Sequence, residues 1–407
     1  MLAVATSITT TKGTVEIIFP PYLAGYGYSL SVIGLLTSLI AALQLASRVP
    51  AGLAYRGHRA KQQYAMALLA FALSTIGLAF ANGNAAAVAG LSLVHGFAFG
   101  AIGTLGLALA IDLSSDRGAG ASMAWYTAAI STGYALGSLI GGSAAETIGM
   151  PATLGLLGAL PLLAALAVLV LPDIAGAPQA FDRGRGLRGL FAAGARLDSR
   201  VWLAVVIVLY LNVLQDGLDT FFPVFAPTVG ISLAVVGVLR AIKSGAGIFM
   251  RFSIAVLLQA VDYRRVTLVA VVASAAGLAA VPLSNSVLVI APIFIVLGLT
   301  RGVLRATSAA TIAELRREGR DVGLASGVYN MGLDVGGIIG PALGGAVAGV
   351  VGIPAMFQIV AITAFVAWLL VALSTPASRE ASGLGKRHTI SPTLAAPTDV
   401  IGGDPDG

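Results

Sequence analysis

Long apolar runs follow one another along most of the chain, and a short polar stretch separates each run from the next. Each run contains about 20 residues or more, which as an α-helix crosses the roughly 30 Å of hydrocarbon in a bilayer. Because lipid offers the backbone no hydrogen-bonding partner, such runs are typical of membrane-spanning helices. The pattern predicts an all-α membrane protein with twelve transmembrane helices, over residues 2–24, 30–54, 63–81, 85–111, 118–147, 152–172, 201–224, 232–258, 265–283, 287–313, 322–348 and 353–374.

The predicted helices form two copies of one unit, because the same residue types recur 203 positions apart. The clearest match aligns Gly133, Gly137, Gly141 and Gly142 with Gly336, Gly340, Gly344 and Gly345, with Ser138 opposite Pro341. Duplicated halves are typical of secondary transporters, whose halves move about a central site. The sequence therefore predicts two pseudo-symmetric six-helix bundles, at 1–172 and 201–374, joined by a linker at 173–200 and followed by a disordered tail at 375–407.

Composition excludes several other classes of protein. The chain is 57% hydrophobic and only 10% charged, whereas soluble domains are about 25% charged. It has no cysteine and three histidines, so disulfides and thiolate metal sites are excluded and a histidine-based zinc site is disfavoured. The formal charge of +6 does not indicate nucleic-acid binding, because the basic residues lie on short loops between apolar runs.

The distribution of basic residues predicts the orientation in the membrane. Loops after even-numbered helices, the linker and the tail contain most of the 24 lysines and arginines, whereas loops after odd-numbered helices contain none. Under the positive-inside rule, both termini and the linker are expected in the cytoplasm. The sequence therefore predicts a multi-pass protein of the plasma (inner) membrane.

Two motifs give the chain a resemblance to a known family. The glycine pattern from Gly327 to Gly345 resembles the antiporter motif that efflux transporters of the major facilitator superfamily carry on helix 5, although here helix 11 has the better copy. The segment 52–61 resembles the family's loop between helices 2 and 3, with Tyr55 near the position of its aspartate, while Ser92 replaces the helix-4 arginine. With twelve spans and a long basic linker, the chain resembles a transporter of this superfamily.

The resemblance implies a fold and a mode of action. In this family, helices 1, 4, 7 and 10 line a central cavity, and helices 2, 5, 8 and 11 flank it. The expected activity is secondary transport by alternating access, without a cofactor and without catalysis. The expected partners are a small-molecule substrate, protons and the lipid bilayer, and the expected state is a monomer.

Charged residues within the predicted helices are candidates for the transport site. A charge at the bilayer centre costs about 2.5–3.5 kcal/mol or more, so each requires a structural or functional reason. Arginine pairs can bind a carboxylate in a bidentate manner, which favours an anionic ligand. The predicted substrate-binding residues are Lys12, His95, Asn212, Arg240, Lys243, Arg301 and Arg305, and the predicted proton-coupling acids are Glu16, Asp216, Asp219 and Asp334.

Two of these assignments leave alternatives open. Lys12 and Glu16 are one helical turn apart, so they form either an internal ion pair or part of the substrate site. His95 is either a hydrogen-bonded interior histidine or a proton relay. The coupling acid is predicted to be Asp219 or Asp216, with Glu16 as its counterpart in the first half.

A second group of residues is predicted to act in the movement of the halves. Glycine faces let helices approach closely, so the faces on helices 5 and 11 are predicted to form the seam between the two halves. Arg48 and Arg251 lie near helix ends and are predicted to form a gate or an interface pairing. The gating or hinge prediction includes Arg48, Arg251, Gly133, Gly137, Gly336, Gly340 and Pro341.

The sequence favours a proton-coupled antiporter that exports a small organic compound. The alternative is a proton-coupled symporter that takes up a small organic anion such as a carboxylate, which the cations on helices 8 and 10 favour. A membrane sensor or membrane-embedded enzyme is disfavoured, because the sequence has no metal-ligand cluster, nucleophile–base set or phosphate-binding loop. A channel is also disfavoured, because the two halves are rich in arginine and have flexible seams.

Overall fold

The computed structural model describes residues 1–56, 59–113, 119–170, 199–260, 263–317 and 322–374, and each element in these ranges is helical. Two short 3₁₀ turns, Ala226–Val229 and Val281–Leu283, follow longer helices. The predicted linker and tail lie outside the described residues, apart from the first residues of the next helix. The long helices are α1 Leu2–Gly25, α2 Leu30–Ala54, α3 Ala60–Phe80, α4 Ala85–Asp112, α5 Ala119–Thr147, α6 Met150–Leu169, α7 Ser199–Phe225, α8 Leu233–Ala260, α9 Tyr263–Ala280 and α10 Val287–Arg317, followed by a helical stretch at Val322–Ser374.

The last helical stretch is two helices joined at Gly352. This residue has φ 81° and ψ 164°, a non-helical conformation that glycine adopts without strain. We call the segments before and after it α11 and α12. Gly149, its counterpart 203 positions earlier, precedes α6 with φ 84° and ψ 155°. The described ranges therefore contain the twelve predicted helices, and the repeat extends to backbone conformation.

Nine helical segments in the described part of the chain are long and apolar enough to span a membrane, and the last of them includes both α11 and α12. Helices α1 and α5 are not among the nine. In α1, the polar residues Thr9, Thr10, Thr11 and Lys12 lie in the middle of the helix, and all four are buried in the protein. Polar groups at this depth are tolerated because protein, and not lipid, surrounds them.

Glycines hold α5 against α1 inside the first half. A Cβ at Gly137 would collide with the backbone carbonyl of Thr10, and one at Gly133 with the side chain of Thr9. Thr14 Oγ1 donates to the Gly137 carbonyl at 2.9 Å, so the close approach also satisfies a buried hydroxyl. Small residues permit this backbone-to-backbone packing in a membrane protein.

The second half repeats this packing between α11 and α7. A Cβ at Gly336 would lie 2.8 Å from Cβ of Asn212, and one at Gly340 would lie 2.7 Å from the carbonyl oxygen of Val213. The prediction that Gly133, Gly137, Gly336 and Gly340 lie in the seam between the halves is therefore wrong. A glycine face shows that some helix packs closely, but the nearest partner here belongs to the same half.

Other residues of the same two glycine faces do lie at the seam, against small residues of α2 and α8. A Cβ at Gly34 of α2 would collide with the carbonyl oxygen of Pro341 and lie 2.9 Å from Cα of Gly345, both on α11. The pseudo-symmetric contact joins α5 and α8, where a Cβ at Gly237 would collide with the carbonyl of Ser138 and one at Gly142 with that of Leu233. Pro341 is thus at the seam between the halves, whereas its role as a hinge stays a prediction.

Hydrogen bonds reinforce the seam at its backbone contacts. Ser38 Oγ donates to the Ile338 carbonyl at 2.6 Å, and Ser31 Oγ donates to that of Gly345 at 3.2 Å. On the other side, Glu146 Oε1 accepts from the backbone N–H of Ala234 at 3.1 Å. These contacts lie toward the ends of the helices that carry the odd-numbered loops, so the halves are closed against each other at that end.

The segment that resembles the family loop makes a contact within the first half. The Tyr55 hydroxyl donates to Asp112, which joins the end of α2 to the end of α4. Burial and this hydrogen bond raise the pKa of Tyr55 above its usual value, so the phenol remains a neutral donor.

We predict that Gly34→Ala opens the seam. The added methyl group requires the halves to separate locally, and overpacking of this kind costs about 1–3 kcal/mol. Because the chain has no cysteine, spin labels at Ala86→Cys and Asn285→Cys can report the distance between the halves at the odd-loop end. We expect the distance distribution in Gly34→Ala to shift to longer values.

Gly90→Ala is the matched control, because no atom lies within 4 Å of a Cβ built at Gly90. It should leave the distances between the two labels unchanged. An unaltered distribution in Gly34→Ala would contradict the assignment of the seam.

Candidate functional site

A cavity of about 550 Å³ lies between the two halves. Helices α1, α2, α5, α7, α8, α10 and α11 line it, whereas α4 contributes none of the described lining residues. Six cationic and four acidic side chains reach the cavity, so its lining has an excess of two positive charges. These residues are Lys12, Arg48, Arg240, Lys243, Arg301 and Arg305, and Glu16, Asp216, Asp219 and Asp334.

Five of these residues form a charge chain with alternating sign, which we define as Lys12, Glu16, Arg240, Asp219 and Lys243. Lys12 Nζ is 3.6 Å from Glu16 Oε1, and Glu16 Oε2 accepts from Arg240 Nη2 at 3.1 Å. Arg240 Nε is 3.7 Å from Asp219 Oδ1, which also accepts from Lys243 Nζ. The link between Glu16 and Arg240 joins α1 of the first half to α8 of the second.

The charge chain is largely removed from water. The side chains of Lys12, Arg240 and Lys243 are 9%, 8% and 2% exposed, whereas that of Glu16 is 34% exposed. Lys12 Nζ also lies 5.1 Å from the centre of the Phe99 ring, within range of a cation–π interaction. Lys12 and Glu16 therefore form the internal pair that one alternative predicted, and both line the cavity, whereas their contact with a substrate stays a prediction.

A second polar group lies beside the charge chain and contains Asn212, Asp216, Arg301 and Arg305. Asn212 Nδ2 donates to the Leu333 carbonyl at 2.6 Å, while its Oδ1 lies 3.5 Å from Arg305 Nη2. Asp216 Oδ2 lies 3.0 Å from the position of a Cβ built at Gly337, so this carboxylate lies directly against α11. Arg301 lines the same cavity as Asp216.

Asp216 and Arg301 differ from the charge chain in one respect. Among the described residues, neither has an oppositely charged side chain within 4.0 Å. Arg301 Nε is also buried without a hydrogen-bond partner in this part of the chain. A buried donor without an acceptor costs about 1–3 kcal/mol, so the site is suited to an added acceptor.

Arg48 and Asp334 connect the halves along the cavity wall. Arg48 Nη1 of α2 donates to Asp334 Oδ2 of α11 at 2.6 Å, and the two side chains are 40% and 16% exposed. The predicted gate residue and one predicted coupling acid are thus partners. The side chain of Arg251, the counterpart of Arg48 in the second half, lies outside the described part of the chain.

His95 is absent from the described cavity lining, so its predicted place among the cavity groups is wrong. It is fully buried between α3 and α4, where Nδ1 lies 3.2 Å from Thr75 Oγ1 and the ring packs against Phe71. The sequence places His95 on α4 but does not give the rotation of that helix. The interior, hydrogen-bonded alternative describes its position.

Tyr134 is a cavity residue that the sequence prediction missed. It lies on α5 and lines the same cavity as Glu16, Asp216, Arg240 and Arg301. It stands between Gly133 and Gly137, in a stretch whose glycines predict only close packing of helices. A tyrosine in the middle of a small-residue helix was the available signal.

We predict that Asp219→Asn destabilises the protein because it leaves the Lys243 ammonium buried without its carboxylate. Removal of one partner from a buried pair costs about 3–5 kcal/mol. Asp219→Asn combined with Lys243→Met removes both charges and should recover much of this loss. The measurement is thermal unfolding in detergent, followed by tryptophan fluorescence.

Lys243→Met alone is the comparison variant. It should be less harmful than Asp219→Asn, because Asp219 retains Arg240 at 3.7 Å. A double variant that is as unstable as Asp219→Asn would contradict the pairing.

Comparisons with known proteins agree on the architecture. The sequence model of the Major Facilitator Superfamily matches residues 1–315 and 248–397. A comparison with curated proteins finds no significant match.

Solved structures of transporters share the fold. The nucleoside transporter NupG is 16% identical, with a TM-score of 0.72, and the match covers 91% of this chain and 98% of that one. A bacterial homologue of the human lysosomal transporter Spinster, in its inward-facing and unoccupied conformation, is 15% identical, with a TM-score of 0.69 and coverage of 92% and 94%. At these identities, the likeness concerns the fold alone.

Proposed function

This chain belongs to the Major Facilitator Superfamily, as a multi-pass secondary transporter and not an enzyme, and we propose that it carries a small organic anion together with protons. The single observation behind this proposal is the excess of cationic over acidic side chains in the cavity. A low-dielectric cavity with net positive charge attracts an anion and repels a cation. A carboxylate fits this site, because arginine binds it through two parallel hydrogen bonds.

Arg301 is the first anchor of this proposed site. The guanidinium and the two ammonium groups of the charge chain already have carboxylate neighbours, whereas Arg301 has none within 4.0 Å among the described residues. An incoming carboxylate can therefore bind Arg301 without first displacing a resident ion pair.

Asp216 is the proposed coupling acid. Asp219 and Glu16 each lie between two cations, of which Arg240 is common to both, so protonation of either acid would weaken the pairing of buried cations. Asp216 has no cation within 4.0 Å among the described residues, and it lines the same cavity as Arg301. A proton on Asp216 removes a negative charge that competes with the substrate for Arg301, so proton and anion bind together.

Cooperative binding of this kind favours symport. In an antiporter, the proton and the substrate must compete for the same groups, which suits a cationic substrate and acidic ligands. Four acids do line the cavity, and they support a second candidate, the export of a small cationic compound in exchange for protons. The net charge of the lining favours the anion.

We further propose that the protein acts as a monomer in the plasma membrane, with both termini in the cytoplasm. The loops at the closed end carry no lysine or arginine, so by the positive-inside rule this end faces the outside. The cavity would then be loaded from the cytoplasm in the described conformation.

We predict that Asp216→Asn abolishes proton-driven accumulation while exchange of the substrate remains. The amide cannot take up a proton, so the pH gradient no longer acts on the site. The measurement uses proteoliposomes with an imposed pH gradient and radiolabelled lactate, succinate, benzoate and tetraphenylphosphonium. Wild type should accumulate one of the acids, whereas Asp216→Asn should only exchange it against the same acid inside.

Glu146→Gln is the matched control, because it neutralises an acid at the seam while keeping the oxygen that accepts from Ala234. It should accumulate substrate as wild type does. Retained accumulation in Asp216→Asn would exclude Asp216 as the coupling acid. Gradient-driven movement of tetraphenylphosphonium, and of none of the three acids, would favour the antiport candidate.

A further inference from the structure

We propose that Tyr134 determines specificity, because its hydroxyl donates a hydrogen bond to the substrate carboxylate that Arg301 binds. This inference rests on the proposed function and adds a ligand group from the first half to the arginine of the second. The bound carboxylate would then contact α5 and α10 at the same time.

The backbone fixes the direction of Tyr134. A Cβ built at Gly13 would lie 2.8 Å from the Tyr134 carbonyl oxygen, and one at Gly137 would collide with Thr10. Helix α5 is therefore packed tightly on α1 on both sides of this residue. Rotation of α5 about its axis would break these contacts, so the side chain is held toward the cavity.

The hydroxyl of Tyr134 is available to a ligand. Tyr134 lines the cavity, and within the described ranges its hydroxyl has no hydrogen-bond partner. Two tyrosines in the core are different, because Tyr22 donates to the Leu78 carbonyl and Tyr210 to that of Val271. Because Tyr134 is only partly buried and lines the cavity, its position favours a partner that arrives from outside the chain.

Two further donors near Tyr134 also lack acceptors. Arg301 Nε and Arg240 Nη1 are buried without a hydrogen-bond partner among the described residues, and Arg240 as a whole is only 7% exposed. Both arginines line the same cavity as Tyr134. A carboxylate offers about four lone-pair sites on two oxygens, so one such group can accept from more than one of these donors.

Resident acids do not fill this role. Glu16 is engaged by Arg240 and Lys12, and Asp219 by Arg240 and Lys243. Asp216 lies against Gly337 on α11. None of these three acids is therefore hydrogen-bonded to the unpaired donors among the described residues, and a ligand carboxylate can bind them.

The test is equilibrium binding of radiolabelled lactate, succinate and benzoate to purified wild type, Tyr134→Phe and Tyr126→Phe. Tyr126 is the matched control, because it lies two turns earlier on α5, is buried and does not line the cavity. Phenylalanine keeps the ring and removes only the hydroxyl. A hydrogen bond to a charged group corresponds to about tenfold or more in affinity, so we expect Tyr134→Phe to raise the Kd by about tenfold and Tyr126→Phe to leave it unchanged.

A second readout separates a ligand contact from a packing role. The primary amides of the three acids lack the negative charge, and their weak competition should be the same in wild type and Tyr134→Phe. A packing defect would instead weaken acids and amides alike. In proteoliposomes, Tyr134→Phe should raise KM and leave the maximal rate and the proton dependence intact.

A double-variant cycle provides an independent measurement. If Tyr134 and Arg301 bind the same carboxylate, the losses of Tyr134→Phe and Arg301→Lys should not multiply when the two are combined. Fully multiplicative losses would overturn the shared subsite.

The outcomes distinguish this inference from the function on which it rests. Unchanged binding in Tyr134→Phe, with binding by wild type, overturns the inference and leaves the proposed function intact. A tenfold loss in Tyr134→Phe without proton-driven transport by wild type supports the inference and overturns the coupling. Failure of wild type to bind any of the three acids overturns both.

Discussion

The structure depends on one constraint, which is that charges in the middle of a membrane must be paired or must face a cavity. The charge chain, which begins at Lys12 and ends at Lys243, meets this constraint because its charges alternate in sign. Each of its carboxylates lies between two cations. Because Glu16 belongs to α1 and Arg240 to α8, the same constraint also joins the two halves. The cost of desolvating these groups is offset only while the halves remain in register.

The fold could be predicted from the sequence because its determinants are local and periodic. The length of each apolar run predicts a span, and the repeat of 203 positions places Gly352 opposite Gly149, just before the last helix of each half. Both residues adopt nearly the same backbone angles. Hydropathy alone does not identify α1 and α5 as spans. In α1 the central polar residues are buried in the protein, and α5 is rich in small residues.

The site could be predicted only in part, because a sequence gives the depth of a residue in the membrane but not the rotation of its helix. The ten charged candidates other than Arg251 all reach the cavity, since charge alone excludes a position facing lipid. For an uncharged polar residue, which can face either protein or a cavity, the rotation of the helix decides its surroundings. His95 therefore faces α3 and not the cavity, whereas Tyr134 faces the cavity without carrying any sequence signal of charge. The glycine faces are predicted in part for a similar reason. They indicate that another helix packs closely, but they do not indicate which helix it is.

The contacts at the odd-loop end of the two halves differ in kind from those in the cavity. The seam consists of backbone carbonyls, glycines and the hydroxyls of Ser31 and Ser38. Its carboxylate, Glu146, accepts a hydrogen bond from a backbone N–H, and an uncharged amide oxygen could accept the same bond. Sealing that surface therefore requires no net uptake of protons and no desolvation of a cation. A proton gradient can then act on the charged groups of the cavity, while closure of the seam does not depend on pH.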